Sequence, residues 1–459
     1  MNSTAKDLIR QRFLAPTALP RTNYIGIEIE MPVVSLKGGR TDQSISALAM
    51  ADAASRFGFI PVKKDGNGIC HEAVCGETGD VFSFDCSYNN FEISLGKVRT
   101  LHEAQARFAD YVAYINDFLG KRDHLLTGMG INPNYRVNET GFVPAPRYKM
   151  LEGFLKKSKV WKRDGGFHGY SSYPTFSSAS QVQLDITEDR LCQTIEAFSY
   201  VEPIKALLFA NSYLPEERKL LCARDYLWER SVHGINPKNL GFYEPFPGTN
   251  EDIVEYLMDV SAFCAERKDK YLFFYPIPFK EYLTKETIEG EYFDGERYVR
   301  HCFKPSPEDI HTLRTYKQID LTARGTLEFR SACTQPLSEA MTVAAFHLGL
   351  SSQTEALTEL LKNHEVLYAN AGTPRSVRER FNRRDGVTEE ERPKLRALTE
   401  CVLLLAEKGL RARGYAEEKY LEPLFRRAEV FTSPAKELIR QLEAGMDMRS
   451  LVMQYAELR

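Results

Sequence analysis

The stretch Tyr24-Ile-Gly-Ile-Glu-Ile-Glu-Met-Pro-Val-Val34 alternates apolar and polar side chains with the two-residue period of a β-strand. Its three isoleucines share one face of the predicted strand, and Glu28 and Glu30 share the other. Two carboxylates at positions i and i+2 repel each other unless water or a cation separates them, and a divalent metal that prefers oxygen ligands suits such a pair. The alternative is a half-exposed strand whose acidic side chains are simply solvated.

Three later segments show the same alternation, and each places polar side chains on one face of a predicted strand. Because these polar faces match in kind, we expect them to belong to one shared surface. The segments are residues 90–95 with Glu92, residues 178–186 with Gln181 and Gln183, and residues 322–331 with Glu328 and Arg330.

Composition excludes several classes of protein. The 459 residues are 43% hydrophobic and 27% charged, which predicts a globular chain with a large core or two to three modest domains. A formal net charge of -3 argues against nucleic acid as a partner. No apolar run reaches the roughly 18 residues of a membrane span, and the first residues lack a signal peptide, so we expect a cytoplasmic protein without a membrane partner. The nine cysteines contain no C-x-x-C pair and indicate neither a disulfide scaffold nor a zinc ribbon.

The order of the predicted elements indicates an α+β fold. Short alternating segments separated by Gly and Asn turns favour antiparallel pairing, and helical patterns lie between them. We predict one domain over residues 1–336 and a helical C-terminal region over residues 337–459, which packs on the same domain or forms a separate cap, with an internal linker at the charged break 378–392. Further predictions are helices at 44–57, 100–119, 188–211 and 252–267, and a strand at 125–133.

The motifs, taken in chain order, resemble the glutamate-cysteine ligase family, in particular the branch that includes the plant enzymes and many bacterial ones. The resemblance covers roughly residues 22 to 336. Each motif is weak alone, but the ordered set is specific. The motifs are Gly26-Ile-Glu-Ile-Glu30, Asn90-Phe-Glu-Ile-Ser-Leu95, Leu101-His-Glu103, Met129-Gly-Ile-Asn-Pro133, Pro144-Ala-Pro-Arg-Tyr148, Ser180-Gln-Val-Gln-Leu-Asp185, Ala210-Asn-Ser212, Arg224 with Trp228, and Leu327-Glu-Phe-Arg330.

The resemblance implies a glutamine-synthetase-like fold, in which a curved antiparallel sheet forms a half-barrel surrounded by helices. It also implies an ATP- and Mg²⁺-dependent ligase that activates the γ-carboxylate of glutamate as an acyl phosphate and couples it to the amine of cysteine, the first step of glutathione-type thiol synthesis. ATP would be the co-substrate and about two or three Mg²⁺ ions the cofactor. The implied metal ligands are Glu28, Glu30, Glu92 and Glu328.

Further roles follow from the same resemblance. Arg147 and Arg224 would bind the carboxylates of glutamate, with Tyr148 and Trp228 in the same substrate site. Arg330, beside the catalytic Glu328, would stabilise the transferred phosphate, or would form a structural salt bridge with that glutamate. Gln181 and Gln183 would complete a metal or nucleotide shell, or would hydrogen-bond within the polar face of the sheet.

The sequence departs from the plant-like pattern at two loops. Glu229-Arg-Ser-Val-His-Gly234 follows Trp228 where those relatives carry a more acidic stretch, and Ser331-Ala-Cys-Thr-Gln-Pro336 lacks a Gly-Ala-Asp run. Because loops at the mouth of the funnel would meet the acceptor amine, a ligase that joins glutamate to a different amine remains an alternative, and a non-catalytic homologue is a second one. The sequence does not indicate an oligomeric state.

Overall fold

The computed structural model describes residues 2–138, 141–217, 219–268, 270–368 and 372–458. Among these residues, no helix combines the length and apolar character needed to cross a membrane. The strands are β1 (Ile25–Ser35), β2 (Phe59–Lys64), β3 (Cys70–Cys75), β4 (Val81–Phe84), β5 (Asn90–Val98), β6 (His124–Leu126), β7 (Ser180–Asp185), β8 (Leu240–Gly241), β9 (Ser261–Arg267), β10 (Lys270–Pro278), β11 (Ile288–Phe293), β12 (Tyr298–Phe303), β13 (Tyr316–Lys317), β14 (Ile319–Leu321) and β15 (Thr326–Phe329).

Helices outnumber strands toward the C-terminus, as the sequence predicts. The helices are α1 (Asn2–Ile9), α2 (Gln43–Phe57), α3 (Leu101–Gly120), α4 (Pro146–Lys156), α5 (Leu191–Phe209), α6 (Ala223–Glu229), α7 (Asn250–Asp259), α8 (Phe279–Tyr282), α9 (Thr342–Leu350), α10 (Thr354–Leu361), α11 (Glu365–Tyr368), α12 (Pro374–Phe381), α13 (Arg392–Arg413), α14 (Glu422–Val430), α15 (Pro434–Glu443) and α16 (Met448–Ala456).

The main sheet is antiparallel at every pair of named strands and has the order β14-β15-β7-β1-β5-β4-β3-β2, with β6 paired to the end of β1. The strand formed by the opening stretch is therefore central, with β7 on one side and β5 on the other. The α+β class and the antiparallel sheet predicted from the sequence are confirmed.

Alternation gives this sheet two unlike faces. Ile25, Ile27 and Ile29 are at most 2% exposed and lie in the main hydrophobic core. Helices cover this apolar face: α3 contacts β5, α5 contacts β14 and α9 contacts β7. Glu28 and Glu30 alternate with the isoleucines and lie on the other face.

A second antiparallel sheet, of order β12-β11-β10-β9, packs against α4 through β10 and β11. The prediction of a helix over 252–267 is wrong beyond Asp259, where α7 ends. The strand β9 of this sheet follows. Residues 261–265 are all buried and pair with β10. A short, continuously apolar run fits either a buried helix or a buried strand, and here pairing with the next strand of the chain decides the outcome.

The predicted strand over 125–133 is also wrong beyond Leu126. The main-chain groups that follow bond to three separate partners: Thr127 N–H donates to Pro32 O, Gly128 N–H to Tyr455 O and Gly130 N–H to Asn211 O. Backbone groups that are satisfied by three segments cannot form one strand ladder, so this stretch crosses the core as irregular chain.

Helices after Pro336 share the main hydrophobic core with the sheet. Leu350, Leu395, Leu403 and Leu424 are fully buried in the core that includes Ile29. The prediction of a linker at 378–392 is wrong, because Arg378 is only 3% exposed and binds two carboxylates of the preceding region. The division at residue 336 remains a prediction.

Candidate active site

Four acidic side chains predicted from the sequence come from three strands of the main sheet. Glu30 lies opposite Glu92 in the β1–β5 pair. On the other side of β1, Glu28 lies opposite Gln181, and Gln183 lies opposite Glu328 in the β7–β15 pair. The registers therefore carry all four acids to one polar face.

Two glutamines of β7 connect these acids. The amide nitrogen of Gln183 donates to Glu28 Oε1 and to Glu328 Oε1, both at 2.8 Å. The amide nitrogen of Gln181 donates to Glu30 Oε1 at 3.1 Å. Hydrogen bonding within the polar face, one of the two roles predicted for these glutamines, is thus what the structure shows. Their second predicted role, in a metal or nucleotide shell, remains a prediction.

A fifth acid, Asp85, is absent from the residues predicted by the sequence. It follows β4 directly, where Ser83 pairs with Glu92. One carboxylate oxygen from each of Glu30, Asp85 and Glu92 lies within 4.8 Å of the others. The signal in the sequence is alternation, since Asp85 stands two residues after Ser83, but only the strand register shows which acid the segment faces. We refer to Glu28, Glu30, Asp85, Glu92 and Glu328 together as the carboxylate cluster.

Burial and mutual repulsion raise the pKa values of Glu28, Glu30 and Glu92. Burial is the largest cause at Glu30, with repulsion from Asp85 and Glu92 added, and its pKa rises to about 8. Burial and Asp85 raise the pKa of Glu92 to about 7. Burial, Glu328 and Glu92 place the pKa of Glu28 well above its ordinary value. The site therefore concentrates more negative charge than its own surroundings stabilise.

The donor set of this cluster fits a hard divalent cation. Its charged ligand atoms are carboxylate oxygens, which Mg²⁺ and Ca²⁺ prefer, and the three closest are near enough to contact one ion. A cation there would offset the repulsion that raises the pKa values of Glu30 and Glu92. Two of the predicted magnesium ligands, Glu30 and Glu92, belong to this group of three with Asp85, and metal binding by Glu28, Glu30, Glu92 and Glu328 stays a prediction.

Two arginines border the cluster on the side of β15. Arg330 donates to Glu328 Oε2 at 2.6 Å, which is the salt bridge that the sequence analysis gives as its alternative role. Arg224 donates to the main-chain oxygen of Arg330 at 2.8 Å. Both line a small cleft with Trp228 and Gln318. This brings together three predicted residues beside the acids.

The remaining predicted pair lies at the start of α4. The Tyr148 hydroxyl donates to Phe84 O at 3.1 Å, which joins the helix to β4 just before Asp85. The Arg147 guanidinium lies 5.8 Å from the centre of the Tyr148 ring, and its charge lowers the pKa of Asp85 and of Glu92 against the effect of burial. Arg147 therefore lies close enough to the carboxylate cluster for its charge to act on Asp85, as the charges of Arg224 and Arg330 also do.

Trp228 belongs to an aromatic group as well as to the cleft. Its ring centre lies 4.6 Å from that of Tyr316 and 5.3 Å from those of Tyr173 and His233. Burial lowers the pKa of His233 to about 3, so this histidine is neutral and packs among the aromatic rings. Contacts on several sides fix the indole at the wall of the cleft.

One face of the antiparallel sheet thus carries the carboxylate cluster, with Arg224 and Arg330 beside it. The chain matches the model of glutamate-cysteine ligase family 2 over residues 24–454, and it belongs to this family. The family predicted in the sequence analysis is confirmed.

Individual relatives are distant. The chain is 25% identical to the chloroplastic glutamate–cysteine ligase of Arabidopsis thaliana over 368 residues, which cover 76% of this chain and 63% of that protein. It therefore spans under two thirds of the length of that relative. It is 23% identical to glutamate–cysteine ligase A of Oryza sativa subsp. indica over 464 residues, covering 96% of this chain and 85% of the rice protein.

A solved structure shows the same fold. The glutamate–cysteine ligase of Francisella tularensis in complex with AMP superposes with a TM-score of 0.50 at 10% sequence identity, covering 96% of this chain and 88% of that one. The predicted glutamine-synthetase-like fold class is thereby confirmed.

Proposed function

We propose that this protein is an ATP-dependent ligase that joins the γ-carboxylate of L-glutamate to the amine of L-cysteine and yields γ-glutamylcysteine. The observation that carries the proposal is the convergence of five buried or half-buried acids from β1, β5, β15 and the end of β4 on one face, with the charges of Arg147 and Arg330 both acting on Asp85. Membership of the glutamate-cysteine ligase family supports the reaction class. The AMP in the Francisella enzyme supports an adenine nucleotide as co-substrate.

Mg²⁺ is the proposed cofactor, with Glu28, Glu30, Asp85, Glu92 and Glu328 as its ligands. When bound, magnesium would neutralise the phosphates of ATP and polarise the transferred phosphoryl group. Gln181 and Gln183 hold the carboxylates at fixed positions through the hydrogen bonds described above, so the acids are pre-oriented before any ion arrives.

The arginines act on the substrates. Arg147 and Arg224 bind the carboxylates of glutamate, because a guanidinium fork matches a carboxylate with two parallel hydrogen bonds. Arg330 is the group proposed to stabilise the charge of the transferred phosphate. Glu328 orients Arg330 through their ion pair, so the salt bridge and the catalytic role are compatible. Tyr148 and Trp228 form walls that exclude water.

The reaction then needs no nucleophilic residue. An oxygen of the substrate γ-carboxylate attacks the terminal phosphorus of ATP, the bond to the bridging oxygen breaks, and ADP leaves with that electron pair. The cysteine amine attacks the resulting acyl phosphate, loses a proton, and expels inorganic phosphate. The protein contributes position and charge stabilisation in both steps.

Magnesium-dependent release of ADP in the presence of glutamate tests the proposal, with the amine varied. We expect release with cysteine and much less with alanine, serine or 2-aminobutyrate at equal concentration. Release with another amine and not with cysteine would assign a different acceptor, the alternative left open by the two departing loops. No ADP release with any amine would contradict the proposed activity.

The cytoplasmic location predicted from the sequence remains a proposal. The names of the plant relatives assign those proteins to the chloroplast. We propose small molecules as the only substrates, because the cleft beside Arg224 is small and the net charge disfavours nucleic acid.

A further inference from the structure

A second cavity lies on the apolar face of the main sheet, behind the carboxylate cluster. It has a volume of about 180 Å³ and an apolar floor. The strands β7 and β15 form that floor with residues that alternate with Gln183 and Glu328, so the two sites lie back to back across the same two strands. We call it the rear cavity, and its floor is formed by Leu184, Leu327, Phe329 and Leu348.

One polar group in this cavity lacks a partner. Thr194 of α5 is only 4% exposed, and its hydroxyl has no hydrogen-bond partner among the described residues. A buried hydroxyl without a partner costs roughly 1–3 kcal/mol relative to a bonded one. Since Thr194 lines the cavity, a ligand that presents an oxygen there would supply the missing bond.

Three charged side chains line the rear cavity. Arg190 and Arg413 both line the cavity, and Asp185 is its acidic lining residue. Arg190 donates to the main-chain oxygen of Ser351 at 2.7 Å. This acceptor is uncharged, so it does not neutralise the guanidinium. Arg413 pairs with Glu417 at 2.7 Å, and Asp185 accepts from the main-chain N–H of Asn23 at 3.0 Å. Arg413 is thus neutralised by Glu417, and Asp185 lies 3.8 Å from Arg21. The charge that an anion at the mouth would meet is therefore that of Arg190.

We propose that the rear cavity is a binding site for a small carboxylate with a compact apolar group, distinct from the substrate site. The apolar part would lie on Leu327, Phe329 and Leu348, and the carboxylate would face Arg190 and the Thr194 hydroxyl. The size agrees: an apolar cavity of about 150 Å³ accommodates a benzene ring, so 180 Å³ accommodates a ring or a branched chain of similar bulk.

Isothermal titration calorimetry with benzoate tests this site, and benzamide serves as the uncharged probe of the same shape. We expect benzoate to bind about tenfold more tightly than benzamide, because only the carboxylate forms charge-assisted hydrogen bonds. Thr194→Val keeps the side-chain volume and removes the hydroxyl, and Arg190→Gln removes the charge. Each should weaken benzoate binding at least about threefold while the unfolding temperature stays near that of the wild type.

Arg224→Ala is the matched control, because benzoate could also bind the arginines proposed for glutamate. Retained benzoate binding in Arg224→Ala, with loss in Thr194→Val and Arg190→Gln, supports the rear cavity. Binding that disappears only in Arg224→Ala, equal binding of benzoate and benzamide, or no binding at all would overturn it. The readout is binding alone, so the result is independent of whether the protein releases ADP.

Discussion

Two buried groups of charged side chains in this protein differ in their balance of charge. The carboxylate cluster places five acids together, and the pKa values of Glu28, Glu30 and Glu92 are raised. The other group, which we call the ion-pair cluster, joins Glu202, Lys205, Asp225 and Arg378. Its two acids face two bases, and Arg378 lowers the pKa of Asp225 although burial alone would raise it.

Both groups contain buried carboxylates, Glu30 and Glu328 in one and Glu202 in the other, so burial alone does not separate a functional site from a structural one. In the ion-pair cluster the contacts are complete: Lys205 lies 2.6 Å from Glu202, and Arg378 binds Glu202 at 3.0 Å and Asp225 at 2.6 Å. The ion-pair cluster thereby fixes α12 against α5 and α6. The carboxylate cluster is left with unbalanced negative charge, and that imbalance is what predicts a bound cation.

The largest expected effect is on stability, at the ion-pair cluster. Arg378→Met leaves Asp225 without its ion-pair partner and Glu202 with Lys205 alone, and we expect the free energy of unfolding to fall by about 3–5 kcal/mol. Urea unfolding measures the change. Arg380→Met on the same helix is the control, because its partly exposed pair with Glu391 should contribute at most about 1 kcal/mol. Equal effects of the two variants would contradict the structural role of the ion-pair cluster.

The carboxylate cluster should respond in activity instead. Glu28→Gln keeps the shape and removes one proposed metal ligand, so we expect kcat for ADP release to fall on the order of 10²–10³-fold. The unfolding temperature of the metal-free variant should not fall, because the substitution removes a carboxylate that the neighbouring acids repel. Glu72→Gln, in the salt bridge to Lys63 at the other edge of the sheet, should keep its rate. A normal rate in Glu28→Gln would remove Glu28 from the metal set.

A smaller effect is expected at the substrate arginine next to Asp225. Arg224→Ala should raise the KM for glutamate about tenfold or more while kcat changes less, because a carboxylate contact made in both the ground state and the transition state is lost. Steady-state kinetics with glutamate varied measures this split. The exposed Arg230→Ala near the same helix is the control. An unchanged glutamate dependence would show that Arg224 serves only to hold the main chain of Arg330.

The smallest expected effect is the pH dependence of the metal-free protein. The folded state raises the pKa of Glu30 from its ordinary value near 4.5 to about 8, so it holds this proton more tightly than the unfolded state does. Stability from this group is therefore present below about pH 4.5 and is lost as the pH rises toward 8. Glu30→Gln should gain stability relative to wild type between about pH 6 and pH 8, and Mg²⁺ should abolish the gain. A pH-independent difference in unfolding temperature would contradict this account.

The sequence predicts the carboxylate cluster better than the ion-pair cluster, for a physical reason. Alternation along a strand is a local pattern, and it is enough to place Glu28 and Glu92 on polar faces, while the ordered family motifs place their strands in one sheet. Arg378 has no such local signal, since its contacts with Asp225 and Glu202 span 153 and 176 residues of chain. A charge-rich segment therefore resembles a linker in the sequence although one of its arginines is buried.

Asp85 and β9 escape prediction for related reasons. Asp85 follows a four-residue strand, and only its pairing with the Glu92 strand shows that its carboxylate faces Glu30. Residues 261–265 form an apolar run without a distinctive period, so their state depends on pairing with residues that follow a turn. Local pattern determines the face of a strand, whereas register and long-range pairing determine which side chains meet.

Counting bound Mn²⁺, as a paramagnetic substitute for Mg²⁺, tests the central claim most directly. Electron paramagnetic resonance of free Mn²⁺ in a titration gives the number of ions and their affinity without any substrate. We expect the wild-type protein to bind Mn²⁺ in competition with Mg²⁺, and we expect a Glu28→Gln, Glu92→Gln double variant to lose these ions while it remains folded. Binding of the same number of ions with the same affinity by the double variant would contradict it.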